Sequence, residues 1–274
     1  MVEYDFSGQV AFVTGAAHGQ GRSHAQHYAK HGADVVVTDI GHNAETVPYD
    51  LGTTDELDET ASLVEDEGQS ALAIEVDVRE ESQVEAAVEE AIDEFGHIDI
   101  LANNAGIVTI SDLVEMDEAT WDEMIDTNLK GVWLPSKHVG KHFVERGDGG
   151  KIVSTSSTAG LVASVGAGHY TAAKHGVLGL TKTLALELAE YDVNVNAVCP
   201  TVVNTPMISG MTEAYGEEVL ASMGELTGPF NVFDTEDPGI EASDISEAYM
   251  WLSSDAARYV TGIALPVDAG FSSK

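Results

Sequence analysis

The stretch "HYTAAKHG", His169 to Gly176, sets Tyr170 four residues before Lys174. On a helix that spacing puts both side chains on one face. A phenol ordinarily ionises near pH of about 10, and a neighbouring ammonium favours the phenolate, bringing a general base toward working pH. Ser157 ends the run "IVSTSS" upstream and can donate a hydrogen bond to the same substrate oxygen. Taken alone, a Tyr-x-x-x-Lys pair is usually an ordinary helix surface pair, so its meaning rests on its company.

That company begins with "FVTGAAHGQGRSHA", which places Gly15, Gly19 and Gly21 between a β-branched run and a helix-compatible segment. Such a turn lets backbone N–H groups and the positive end of a helix approach a pyrophosphate. Its plainer reading is a tight strand-to-helix turn. Asp39 ends the second apolar run, roughly 20 residues on, where a carboxylate binds both adenosine ribose hydroxyls and repels a 2′-phosphate. This favours NAD over NADP, and His18, standing in the loop where an arginine would suit NADP, agrees. Asp77, ending the third run, could accept from an adenine amino group or serve only as a turn residue.

These residues need strands to end where they stand. Seven short runs supply them: "QVAFVT", "ADVVVTDI", "ALAIEVDV", "HIDILANNAG", "GKIVSTSS", "VNVNAVCP" and "GIALPVDAG". Between them lie helical patterns near 20–31, 54–67, 80–95, 117–145, 168–190 and 243–253. Parallel neighbours require right-handed crossovers and bury both faces, so the alternation predicts an α/β Rossmann fold. Its doubly wound, seven-stranded parallel sheet is flanked by helices. No repeat or low-complexity linker divides the chain, and residues 1–274 are expected to form one domain.

The pair, the glycine loop, "NNAG" at Asn103–Gly106 and "TNLKG" at Thr127–Gly131 together resemble the short-chain dehydrogenase/reductase family, from about Val10 to Gly270. The resemblance implies an NAD-dependent oxidoreductase that interconverts a secondary alcohol and a ketone. It implies a catalytic tetrad of Asn128, Ser157, Tyr170 and Lys174. Tyr170 would exchange the proton with the substrate oxygen, and Ser157 would orient that oxygen. Lys174 would lower the Tyr170 pKa and bind the nicotinamide ribose, while Asn128 would hold a water linking Lys174 to solvent. Cofactor contacts are implied at Gly15, Gly19, Gly21, Asp39, Asp77, Val78, Asn104, Ala105, Gly106, Pro200, Val203 and Thr205, besides Tyr170 and Lys174. Two positions depart from the family: Thr201 replaces the glycine after Pro200, and Gln20 stands where an aliphatic residue is commoner.

The connection "DIGHNAETVPYDLGTTDELDE" is longer than the family's usual one by about a dozen residues or more. Here the chain resembles the carveol-dehydrogenase-like branch, sometimes coupled to mycofactocin, in which the insertion lies near NAD and can hinder its exchange. The insertion is then either a lid or a surface elaboration. Glu45, Asp50, Asp55 and Glu56 make it a poor cover for an anionic pyrophosphate, which favours free exchange. If NAD is instead resident, an external acceptor is needed.

Beyond the sixth strand, Met207, Ile208, Met211, Met223, Leu226, Phe230 and Phe233 suit either an adaptable apolar wall of a substrate lid, about 206–241, or packing against another subunit. The wall reading gives an apolar or cyclic substrate; a sugar or polyol dehydrogenase is the alternative within enzymes, and a non-catalytic NAD-binding sensor the alternative outside them. His24, His27 and His31 have helical spacing but follow a dinucleotide loop, where the helix packs on the sheet. His138 and His142 read the same way, and no metal site is expected. Cys199, the single cysteine, sits in an apolar strand and reads as core.

Composition sets the surroundings. With 47 Asp and Glu against 12 Lys and Arg, the formal charge is −35, which repels nucleic acid. No membrane-length apolar run or signal-peptide pattern occurs, so a cytoplasmic protein is expected, taking a small-molecule substrate. The acidic excess lies on helix faces with few lysines to balance it, which reads as a halophilic surface. The resemblance implies a homotetramer, paired through the helices near 117–145 and 168–190 and the last strand. Carboxylates crowded this way repel one another once the Debye length grows from about 3 Å at 1 M to about 10 Å at 0.1 M. Melting temperature should therefore rise with KCl into the molar range, and light scattering should find the tetramer splitting at low salt. A flat melting temperature, or a monomer at high salt, contradicts this.

Overall fold

A computed structural model describes residues 4–218, 231–233 and 239–273. Its main sheet is built on central strands whose residues are buried on both faces. In β1 (Val10–Thr14), Ala11 and Val13 join one hydrophobic cluster while Val10 and Phe12 join the other. β2 (Asp34–Asp39) divides likewise, with Val35 and Val37 on one side and Val36 on the opposite side. This period-2 division explains why the strands read as unbroken apolar runs.

The remaining strands are β3 (Ala71–Glu75), β4 (Ile100–Asn103), β5 (Gly150–Thr155), β6 (Val193–Pro200), the short pair β7 (Val203–Asn204) and β8 (Ile240–Glu241), and β9 (Ala264–Val267). The main sheet has seven strands in the order β3-β2-β1-β4-β5-β6-β9, all parallel. All seven expected strands are present; β7 and β8 form a separate parallel pair that sequence reading missed.

Helices cover both faces. α1 (Gly19–Lys30), α2 (Thr54–Asp66) and α8 (Ala242–Ser253) pack on one, burying Tyr28, Leu57 and Tyr249. α3 (Glu81–Phe95) and α5 (Gly131–Arg146) pack on the other, burying Val84, Leu134 and Phe143. α6 (Gly168–Glu187) lies against β6, and α7 (Pro206–Tyr215) begins the lid region. The pattern near 117–145 is α4 (Glu118–Ile125) running into α5 through one wider π-helical turn, Asp126–Lys130, which carries Asn128. Such a turn shifts the side-chain phase within a continuous helix and recurs at functional sites. α2 starts where it does because Thr53 and Glu56 form a reciprocal capping box. Met223, Leu226 and Phe230 lie outside the described residues, as does much of the expected lid.

The histidines of α1 turn to separate partners. His24 is buried, stacks on Tyr249 with ring centroids 4.0 Å apart, and shares a 2.8 Å hydrogen bond with Ser246. Burial pushes its pKa down to about 3, so the ring is neutral. His27 meets the Ser23 carbonyl and His31 that of Tyr4. In α5, His138 lies near Glu81 and Glu85, and the His142 Nε2 accepts from the Ile98 N–H. Cys199 is fully buried, and burial pushes its thiol up to about 11, which leaves it inert as a nucleophile. Among the described residues, no helix is long and apolar enough to cross a membrane.

Candidate active site

The winding of the sheet reverses between β1 and β4, and a crevice opens beyond their carboxyl ends, where open α/β sheets place ligands. Two loops meet there at van der Waals distance. The Asn104 amide donates to the carbonyls of Thr14 (3.1 Å) and Gly15 (3.0 Å), while the Thr14 hydroxyl accepts from the N–H groups of Asn104 and Ala105. Gly15 has φ +66°, and a Cβ there would stand 2.7 Å from the Ala105 Cα. A Cβ on Gly21 would lie 2.0 Å from the Gly15 carbonyl oxygen, so only glycine lets α1 start this close to β1. His18 gives α1 no side-chain cap, which leaves first-turn N–H groups for an anion.

A groove runs from Asp39 at the end of β2 to Tyr170 and Lys174 in α6. Gly15, Gly19, Asp77, Val78 and Thr205 line it, with Asn104, Ala105, Gly106 and Asn128 along its floor. Gly21 lies beneath it as a packing residue. Asp39 is nearly buried and accepts from the N–H groups of Ala17 (2.9 Å) and Ile40 (2.8 Å); burial raises its pKa and those bonds partly offset the rise. Asp77 is not a free acceptor. The Arg79 side chain donates to both of its oxygens, and although burial raises the Asp77 pKa, those bonds hold it below the usual carboxylate range.

Beside the groove opens a second cavity of about 310 Å³, which Ser157, Pro200 and Val203 line with Val108, Val162, Ile208 and Met211. Among the described residues, five border both spaces: Gln20, Thr155, Tyr170, Thr205 and Met207. Ser157 stands beside the Tyr170 hydroxyl and acts to lower its pKa. The Lys174 Nζ donates to the Thr155 carbonyl (2.9 Å) and lies 5.5 Å from the Tyr170 ring centroid.

Burial dominates the electrostatics. It pushes the Tyr170 pKa above its ordinary value, and the neighbouring Ser157 hydroxyl only partly offsets this. The Lys174 ammonium is itself buried, which pushes its pKa down to about 8, and it is turned to Thr155. Asn128 is spent on the loop after β4: its amide donates to the Ile107 carbonyl (2.9 Å) and its oxygen accepts from the Ile107 N–H (3.2 Å). A Cβ on Gly106 would meet both Asn128 Oδ1 (2.5 Å) and Lys174 Nζ (3.5 Å), so that glycine lets the two approach.

The insertion after β2 borders the groove with apolar groups. Ala44, Leu51 and Gly52 line it, while Glu45, Asp50 and Asp55 are exposed. Three of the four charges that argued against a lid therefore face solvent; Glu56 is half-buried and accepts from Thr53. Tyr49 is buried between the loop after β4 and α7; its hydroxyl donates to the Val108 carbonyl and accepts from the Val108 N–H, both at 3.0 Å. Glu123 of α4 accepts from the Thr46 N–H (2.9 Å) and pairs with Arg79. Sequence reading missed Tyr49 and Phe271, which lines the second cavity, because only tertiary approach brings them here, and it missed Arg79 although it stands two residues past Asp77.

The model of the short chain dehydrogenase family matches residues 9–216. The chain is 44% identical to a (-)-trans-carveol dehydrogenase of Rhodococcus erythropolis, over 97% of this chain and 98% of that one. It superposes on a carveol dehydrogenase from Mycobacterium avium in complex with NAD with a TM-score of 0.91, at 40% identity over 99% of this chain and 100% of that one. A short chain dehydrogenase from Mycobacterium paratuberculosis bound to NAD gives 0.92, at 36% identity over 98% and 100%. The chain belongs to the short-chain dehydrogenase family.

Proposed function

We propose that this protein oxidises an apolar, cyclic secondary alcohol to its ketone with NAD, and runs the reverse reduction. The observation that carries this reading is the meeting of the groove and the apolar cavity at Tyr170, with Ser157 beside its hydroxyl and Lys174 behind it. The groove fits NAD: glycine backbone allows close approach, the open first turn of α1 suits a pyrophosphate, and Asp39 suits ribose hydroxyls while repelling a 2′-phosphate. NAD, when bound, supplies the hydride acceptor. Ser157 and Tyr170 hold the substrate oxygen, and Tyr170 takes its proton during oxidation and returns it during reduction. Lys174 supports the phenolate and binds the nicotinamide ribose. Asn128 braces the loop after β4 and places the water that links Lys174 to solvent. A cavity faced by Val108, Val162, Ile208 and Met211 disfavours a polyol, whose hydroxyls would be left unpaired. α7 and the residues after it, to about 241, act as the substrate lid. Trp121 and Trp133 on α4 and α5 and Leu186 on α6 are exposed, and they support pairing of subunits through those helices in a tetramer.

The same proton fixes the pH dependence. Oxidation needs the phenolate, and burial raises the Tyr170 pKa, so its rate should climb as pH rises above neutrality. Ketone reduction needs the phenol and should fall over that range. Tyr170→Phe should cost roughly 10²-fold or more in kcat with nucleotide binding kept. Near-native turnover in that variant, or parallel pH profiles in the two directions, contradicts the role of Tyr170.

A second reading concerns exchange of NAD. Ala44, Leu51 and Gly52 wall the groove, and Tyr49 and Thr46 tie that wall to Val108 and Glu123. Release then requires the insertion to move, which makes it slow and suits an external electron acceptor. Protein that has been extensively dialysed should still give near-stoichiometric NAD when denatured, and Glu123→Ala should lose it faster. Nucleotide-free protein that turns over freely with added NAD would sink this reading.

A further inference from the structure

Tyr49 sits in the insertion after β2, shortly before Leu51 and Gly52, which line the cofactor groove. Its own side chain lines neither the groove nor the apolar cavity. Its contacts shape the cavity instead. The hydroxyl donates to the Val108 carbonyl and accepts from the Val108 N–H, both at 3.0 Å, and Val108 lines the apolar cavity. The side chain also packs against Gly210 in α7, where a Cβ would stand 2.8 Å from the Tyr49 Cβ and 3.2 Å from its Cγ. Met207, Ile208 and Met211 of that helix line the cavity too.

Val108 lies past the end of β4, so its backbone groups are not paired within the sheet. A phenol that satisfies its N–H and its C=O at once fixes its place, because leaving either unpaired away from water is costly. α7 is held by packing. Glycine at 210 lets the helix backbone close onto Tyr49 more nearly than any side chain would allow. Tyr49, Ile107 and Met211 belong to one buried cluster, against which Ile208 and Tyr170 pack. Two walls of the cavity are therefore fastened to one residue of the insertion.

We infer that Tyr49 is a positioning residue for substrate selection: its hydroxyl sets Val108, its packing sets α7, and together they fix the width of the cavity that an alcohol must fill to reach Tyr170. This rests on the proposed function. Tyr49 touches none of the reacting atoms, so it governs which alcohols fit and not how fast a fitted one reacts. A bulky cyclic alcohol meets both walls and depends on their placement. A small acyclic one fills little of the cavity and is indifferent to them.

The test mixes NAD-saturated protein with 4-isopropylcyclohexanol or isopropanol and follows NADH formed in the first turnover as the alcohol concentration is raised. A half-saturating concentration and a limiting rate are read whether or not NAD exchanges. Tyr49→Phe keeps the ring and loses both bonds to Val108, while Gly210→Ala keeps those bonds and drives α7 off Tyr49. In each, the half-saturating concentration of the cyclic alcohol should rise at least about fivefold, with that of isopropanol and both limiting rates within about twofold of wild type. Equal changes for the two alcohols, a fall in limiting rate alone, or a lowered melting temperature with both concentrations unchanged overturns the inference and leaves Tyr49 a structural residue. If only Tyr49→Phe folds, its result decides. Wild-type protein that oxidises neither alcohol overturns the proposed function and the inference with it, whereas wild type that oxidises both, with variants that select as it does, overturns the inference alone.

Discussion

The contact between the loops that follow β1 and β4 is the constraint on which the site depends. Asn104 reaches back to the carbonyls of Thr14 and Gly15, and the Thr14 hydroxyl answers by accepting from two N–H groups of the β4 loop. These bonds fix the crevice at the reversal of the sheet. They also set the distance from the first turn of α1 to Lys174 and Tyr170, which come from the far side of β5. Glycine at 15 and 21 is required because carbonyl and Cα atoms already occupy the space a methyl would need. Everything chemical is built outward from this point.

Burial then governs the electrostatics. Tyr170, Lys174, Asp39 and Cys199 all shift in the direction that disfavours their charged forms. A protein carrying a net charge of −35 thus keeps a dry, sparsely charged interior at the site and its acid outside. Arg79 is the exception that links the two regimes: it is partly buried, it neutralises Asp77 and Glu123, and it ties the edge of β3 to α4. Through Glu123 the same pairing reaches Thr46 in the insertion, so cofactor groove, insertion and central helix share one polar junction.

Much of this was legible in the sequence because it depends on local spacing. Seven apolar runs gave seven strands, since the central strands are buried on both faces and β-branched residues dominate them, with Asn194 and Asn196 the polar exceptions in β6. Tyr170 and Lys174 share a helix face, and Asp39 ends a strand, so their neighbourhood follows from one element each. Burial and side-chain partners are what spacing does not carry. The (i, i+4) spacing pairs Lys174 with Tyr170, but it carries no information about desolvation, which raises the Tyr170 pKa. Acidic residues in the insertion suggested a poor lid, but composition does not say which side faces inward, and the inward residues are Ala44, Leu51 and Gly52. Asp77 looked available until Arg79, two residues away, folded back onto it. Tyr49 gave no signal at all, because its partner Val108 lies far along the chain.

The central claim is that hydride passes directly between substrate and cofactor at the meeting of groove and cavity. It is tested by supplying a substrate alcohol deuterated at its carbinol carbon and following the label. Direct transfer predicts that the deuterium appears on one face of C4 of the nicotinamide, with none in water and with slower turnover in single-turnover conditions. Deuterium found in solvent, or reduced cofactor without label, would contradict the account.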